Sequence, residues 1–199
     1  MVPQTGLRGG GVVVATAGAS GAGKDTLIAA ARRHFAGNNW VVFPQRIVTR
    51  DALPASEPHA SASVAEFDAI EAAGAFAVSW RAHGHGYGIP TSMDDDLGRG
   101  CVAVINVSRQ VIDQLRQRYR RVQVVFVTAE PAVVEARLRA RGRESDGEIK
   151  RRLARAGALA RPSPPVTVID NSGVLSDAAE AFIGVISSFA PARNSEAGG

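Results

Sequence analysis

The stretch VVVATAGASGAGKDTLIAAARRHF, residues 12–35, decides the fold. Its opening, VVVAT at 12–16, is a continuous β-branched run between glycines, the pattern of a strand buried on both faces. KDTLIAAARRHF at 24–35 then combines strong helix formers with apolar groups at helical spacing, and Gly37 supplies a stop. Between the two, Gly18-Ala19-Ser20-Gly21-Ala22-Gly23-Lys24 satisfies G-x-x-x-x-G-K. A strand that enters such a loop and a helix that leaves it form a phosphate cradle: glycines let backbone N–H groups wrap the anion, and the helix N-terminus adds partial positive charge. Lys24 is placed to reach the outer phosphates of a nucleotide, and it is one of only two lysines in a chain with 23 basic residues.

A dinucleotide-binding turn is the nearest alternative, but it requires G-x-G-x-x-G and an acid about 20 residues later. No acid occurs between Asp25 and Asp51, which removes that reading. One departure from the phosphate-loop pattern is informative. The position after the lysine is normally Ser or Thr, whose hydroxyl holds Mg²⁺, whereas here it is Asp25, followed by Thr26. Asp25 reads equally as a Mg²⁺ ligand, direct or through water, and as a favourable first-turn helix acid.

Outward from this stretch, strands and helices alternate. WVVF (40–43) and RIVT (46–49) are extended but interrupted by Pro44; residues 51–63 read as a loop, and VAEFDAIEAAG as a helix. CVAVIN (101–106) and VQVVFVT (122–128) are strands that lead into helices at 108–121 and 130–142, with Pro131 at a tolerated first-turn position. VTVID (166–170) is a last strand and 175–189 a last helix. This order predicts an α/β protein of three layers with a mainly parallel sheet, spanning 11–189 between flexible tails at 1–10 and 190–199.

With 199 residues the chain has the size of one ordinary domain. Its single cysteine, Cys101, rules out an internal disulfide and suits a reducing compartment, so a cytoplasmic location is expected. No apolar run reaches the roughly 20 residues of a membrane span, and the N-terminus lacks the apolar stretch of a signal peptide. The net charge of +4 is unevenly placed: residues 137–161 hold nine basic groups against three acids. A cationic segment on an otherwise slightly acidic body fits a clamp for a compact polyanion better than a track along a nucleic acid, although a solvated arginine-rich face has the same composition.

From the phosphate loop onward, residues 12–188 resemble the guanylate kinase family of P-loop kinases, and most closely its ribose 1,5-bisphosphate phosphokinase branch. The resemblance rests on GASGAGKDT, RIVTR (46–50), SWRAHGHGYG (79–88), VINVSR (104–109), RLRARGRES (137–145) and EIKRRLARA. G-K-D-[ST] and S-W-x-A-x-G favour the bisphosphokinase branch. The resemblance implies ATP as donor with Mg²⁺, bound at Gly18 to Thr26 and at Arg137 beside the adenine. It also implies an acceptor region at about 44–95 and an arginine-rich lid at about 140–152. Within these, Arg50 and Tyr87 match residues that grip the acceptor phosphate, while Arg141 and Arg152 match those that meet the transferring phosphoryl group. Three guanine-reading positions are occupied by Arg46, Val78 and Asn106, so a carboxylate partner for guanine is missing and an arginine suited to a second phosphate is present. The implied reaction, placed by the resemblance in phosphonate breakdown, is phosphorylation of ribose 1,5-bisphosphate to 5-phosphoribosyl 1-diphosphate. Its alternatives are a nucleoside monophosphate kinase with another base preference and a non-catalytic guanylate-kinase-like binding module. The implied partners are a small phosphorylated sugar and ATP, with no nucleic acid and no membrane.

Other features read more plainly. Arg139, Arg151 and Arg155 are expected to be surface charges. His83 and His85 have no ligand cluster around them and fall in an acceptor loop. Asp94-Asp95-Asp96 after Thr91-Ser92 marks a helix N-terminus, with contact to sugar hydroxyls or Mg²⁺ as the lesser alternative. Cys101 and Trp80 are expected to lie in the core.

Overall fold

The computed structural model describes residues 8, 10–50, 59–142, 146, 147, 149, 151, 153 and 162–191. Six of the thirteen residues of the expected lid (143–145, 148, 150 and 152) and most of both expected tails therefore lie outside the described residues. The elements are β1 (Val12–Gly18), α1 (Lys24–His34), β2 (Val41–Val42), β3 (Arg46–Val48), β4 (His59–Ser61), α2 (Val64–Ala72), β5 (Phe76–Ala82) and β6 (His85–Pro90). They continue with α3 (Met93–Gly98), β7 (Val102–Asn106), α4 (Ile112–Arg118), β8 (Val122–Thr128), α5 (Pro131–Arg141), β9 (Val166–Asp170) and α6 (Leu175–Ser187).

Five strands form a wholly parallel sheet in the order β2-β7-β1-β8-β9. The phosphate-loop strand β1 is thus central, with Thr16 opposite Asn106 on β7 and also opposite Val125 on β8. Strand alternation gives β1 two apolar faces. Val12 and Val14 pack towards α1 and α6, in a cluster with Leu27, Ile28, Phe182 and Ile186. Val13 and Ala15 face the other way, towards Met93, Leu97, Ile105 and Leu115. Covering both faces satisfies the parallel sheet, and the continuous valine runs follow from it.

A second sheet, in the order β4-β3-β6-β5, is built from the segment between β2 and α3. β5 and β6 form an antiparallel hairpin and β3 pairs antiparallel to β6, while β4 runs parallel to β3. The expected loop at 51–63 therefore ends in a strand, because His59–Ser61 finds hydrogen-bonding partners on β3 that no local pattern announces. Likewise His83 and Gly84 are the turn of the hairpin, with His83 at φ 53°, and His85 belongs to β6. Val48, Val78, Trp80, Tyr87 and Ile89 join this sheet to the core beside β1 and β7.

Local signals set the helix ends. Ser63 caps α2 by accepting from the Glu66 amide (3.2 Å), while the Ser63 amide donates to Glu66 Oε2 (2.7 Å). α5 starts at Pro131 and stops at Gly142, which is left-handed at φ 61°. The helix expected from 108 opens instead as a 3-10 turn, Arg109–Val111, before α4. The acids at 94–96 do form the first turn of α3, as expected.

Candidate active site

The phosphate loop leaves the C-terminal end of the central strand, the edge where open α/β sheets bind ligands. Its shape depends on close backbone approach. Gly18, at φ 144°, lies so near β8 that a Cβ there would come within 2.2 Å of the Val127 carbonyl oxygen. Gly23 caps α1 in the left-handed region at φ 95°, and no side chain caps the helix. The first-turn amides of α1 thus face the loop without a side-chain acceptor, the arrangement that receives a phosphate. Lys24 folds back over the loop, its Nζ donating to the carbonyls of Gly18 (2.9 Å) and Ala19 (2.8 Å). Ser20 is exposed, Ala22 buried and Thr26 half-buried.

Asp25 is exposed at the start of α1, and its Oδ1 accepts from Asn106 Nδ2 at 2.7 Å. Asn106 is itself buried at the end of β7. The strand that sequence resemblance assigned to the acceptor therefore delivers this side chain to the phosphate loop.

Two side chains from elsewhere complete the loop's surroundings. Buried Asn171, just past β9, donates from Nδ2 to the Ala22 carbonyl (2.8 Å) and from its backbone amide to the Thr128 carbonyl (2.8 Å). A Cβ on Gly23 would lie 2.2 Å from the Asn171 Nδ2, so glycine and asparagine fit each other. Asn171 escaped the sequence reading; its only signal is a polar residue at the C-terminal end of a parallel strand. Arg137 comes from α5, whose Val134 and Leu138 pack beside Gly21 and cluster with Ile149. The Arg137 Nη1 is buried, has no hydrogen-bond partner among the described residues, and lies 3.8 Å from where a Gly23 Cβ would sit. The guanidinium is therefore at the helix end of the phosphate loop. Arg141 ends α5 with its side chain outside the described residues, and Arg152 lies outside them altogether.

The remaining sequence-selected residues gather on the second sheet. Tyr87 on β6 stacks on Trp80 of β5 with ring centres 5.4 Å apart and planes 8° from parallel. The Arg46 guanidinium carbon sits 5.2 Å from the Tyr87 ring centre. Val78 is 4% exposed in the same apolar cluster. Thr49 is stitched to β6, donating its amide to the Gly86 carbonyl (3.1 Å) and accepting from the Gly86 amide on Oγ1 (2.8 Å). Arg50 follows directly, and its Nε is buried without a hydrogen-bond partner among the described residues. Cys101 is buried, as expected, with its thiol against the Asn39 carbonyl.

Among the described residues no cluster of three or more His, Cys, Asp or Glu is arranged to hold a metal. No helix among them is long and apolar enough to cross a membrane. Asp94, 16% exposed, accepts from Tyr119 (2.6 Å), Arg118 (2.7 Å) and Arg8 (3.0 Å), which ties α3 to the end of α4 and to Arg8, four residues before β1. Arg139 is exposed and bonds Glu135 and Asp146, in line with a surface charge.

Among curated proteins, the chain is 46% identical over 175 residues to ribose 1,5-bisphosphate phosphokinase PhnN of Chelativorans sp., covering 87% of this chain and 83% of that one. It is 48% identical over 164 residues to the protein of the same name from Rhodopseudomonas palustris, covering 82% of each. Among solved structures, guanylate kinase from Anaplasma phagocytophilum superposes with a TM-score of 0.60 at 16% identity, over 92% of this chain and 87% of that one, which shows a shared fold. No family model matches the chain.

Proposed function

The chain belongs to the ribose 1,5-bisphosphate phosphokinase family, and on that premise we propose that it transfers the γ-phosphoryl group of ATP to the 1-phosphate of ribose 1,5-bisphosphate. A bond forms between a 1-phosphate oxygen and the γ-phosphorus, the bond from that phosphorus to the β,γ-bridging oxygen breaks, and 5-phosphoribosyl 1-diphosphate and ADP leave. The acceptor oxygen is already anionic, so the reaction needs no dedicated general base. What the protein must supply is alignment of two polyanions and charge to offset their repulsion.

The donor side supports this reading through the uncapped N-terminus of α1 and Lys24, whose two carbonyl contacts are exchanged for the outer phosphates when nucleotide binds. Arg137 adds a cation at the same loop. Mg²⁺ fits the oxygen chemistry here: Asn106 holds one Asp25 oxygen, leaving the other for the ion. When bound, Mg²⁺ would offset charge on the donor's phosphates, and Asp25 is the residue that would hold it. Arg141 and Arg152 are assigned to the transferring phosphoryl group.

The acceptor side carries the choice of substrate. The observation that supports a bisphosphate over a purine nucleotide is Arg46 held on Tyr87 beside buried, apolar Val78. Arg46, Arg50 and Tyr87 offer cationic and hydroxyl donors to phosphate oxygens, and Val78 offers a guanine nothing to bond. The test is a panel of ribose 1,5-bisphosphate, GMP, AMP, CMP and UMP with ATP and Mg²⁺, with products identified by mass. Ribose 1,5-bisphosphate is expected to be the preferred acceptor; a larger kcat/KM for any of the nucleotides would make the protein a nucleoside monophosphate kinase.

A further inference from the structure

Trp80, Tyr87 and Arg46 come from three adjacent strands, β5, β6 and β3, and form one continuous stack. Trp80 and Tyr87 are direct cross-strand partners in the hairpin, and Val48 pairs with Tyr87 on the other side. Arg46, two residues before Val48, projects from the same face of the sheet. Because β6 lies between β5 and β3, the phenol ring is held between an indole and a guanidinium. Trp80 is 7% exposed and Tyr87 8%, so the two rings are fixed by the core and not by solvent. The backbone admits no slack beneath them, since a Cβ on Gly88, next to Tyr87, would come within 2.3 Å of the Phe76 ring.

We propose that Trp80 is a positioning residue for the acceptor: it sets the plane of Tyr87, and through that plane the place of the Arg46 guanidinium that takes the second phosphate. A cation on an aromatic face is held by the ring quadrupole, so this support does not draw on the in-plane N–H donors that pair with phosphate oxygens. Two long side chains are thereby pre-ordered before the acceptor arrives, which removes ordering entropy from binding. An aliphatic residue of similar bulk at 80 fills the core but leaves the ring and the guanidinium to find their places when the acceptor binds. The inference rests on the acceptor assignment given above.

The chain has two tryptophans, Trp40 and Trp80, so a W40F protein reports Trp80 emission alone. In that protein, ribose 1,5-bisphosphate without ATP is expected to change the emission, and R46Q is expected to abolish the change. In steady-state kinetics W80L is expected to raise KM for ribose 1,5-bisphosphate about tenfold, while kcat and KM for ATP stay within about twofold, and W80F to recover most of the loss. A folded W80L with unchanged acceptor KM, or one in which all three constants worsen together, overturns the proposal. If W80L fails to fold, the W80F kinetics and the W40F titration decide: an emission that answers neither ribose 1,5-bisphosphate nor any nucleoside monophosphate overturns it. Emission that answers GMP, in a protein that does not turn over ribose 1,5-bisphosphate, keeps the role of Trp80 and overturns the acceptor assignment instead.

Discussion

Lys24 shows how one side chain reports its task. Its ammonium donates to two carbonyls of its own loop, an arrangement that holds the charge beside the proposed phosphate site. Lys24→Ala is expected to lower kcat by about 10² or more with unfolding midpoint nearly unchanged, by comparison with the loss of one preorganised charge donor. Turnover equal to wild type in the folded variant would remove the phosphate-loop assignment. Gly23 makes a complementary case, because its left-handed φ of 95° and the 2.2 Å approach of Asn171 both exclude a side chain. Gly23→Ala is expected to cost about 1–3 kcal/mol in local strain and to raise KM for ATP, whereas Gly37→Ala, where nothing lies within 4 Å of an added Cβ, is expected to leave KM for ATP unchanged.

At the scale of elements, α5 is divided along its length. Arg137 turns to the phosphate loop, Arg139 is engaged with Glu135 and Asp146, and Arg141 closes the helix. Arg141→Ala and Arg152→Ala are expected to reduce kcat more than they weaken acceptor binding, since their assigned partner is charge on the moving phosphoryl group; Arg139→Ala is expected to stay close to wild type in both. Equal behaviour of the three variants would dissolve that division. A different contact fixes α3 to α4. Burial holds the Tyr119 hydroxyl protonated above the ordinary tyrosine range, with the Asp94 carboxylate adding to the effect. Its contribution is complete below the unfolded tyrosine pKa of about 10 and diminishes as the pH rises beyond it. Tyr119→Phe is expected to lose about 1–3 kcal/mol in denaturant unfolding at neutral pH and to flatten the alkaline decline in stability.

Taken whole, the molecule sets the parallel sheet that carries the phosphate loop beside a second sheet of mainly antiparallel pairing, the proposed acceptor side, with one apolar cluster joining them. On the proposed assignment, acceptor choice is a property of the second sheet as a unit. Arg46→Ala is expected to depress activity on ribose 1,5-bisphosphate without raising turnover of GMP, because Val78 still leaves the base's donors unpaired at about 1–3 kcal/mol each. Two or three such faults amount to about 10² or more in discrimination, measured as the ratio of kcat/KM values for the two acceptors. A variant that gained GMP activity from this change alone would show that Arg46 excludes guanine sterically and binds no phosphate. Installing acids at 78 and 106 is not a clean converse, since one would be buried among apolar groups and the other set against Asp25.

The sequence by itself determined the central strand, the phosphate loop and helix α1, because their signals are local: a valine run, three glycines and a lysine at fixed spacing. The alternation of strands and helices likewise settled the three-layer class and the parallel sheet. Tertiary structure alone decided that His59–Ser61 is a strand, that Asn106 serves Asp25, that Asn171 braces the loop and that Trp80, Tyr87 and Arg46 share one stack. Each of these depends on the register between segments far apart in the chain, and shifting a strand by one residue would turn every such side chain to the other face.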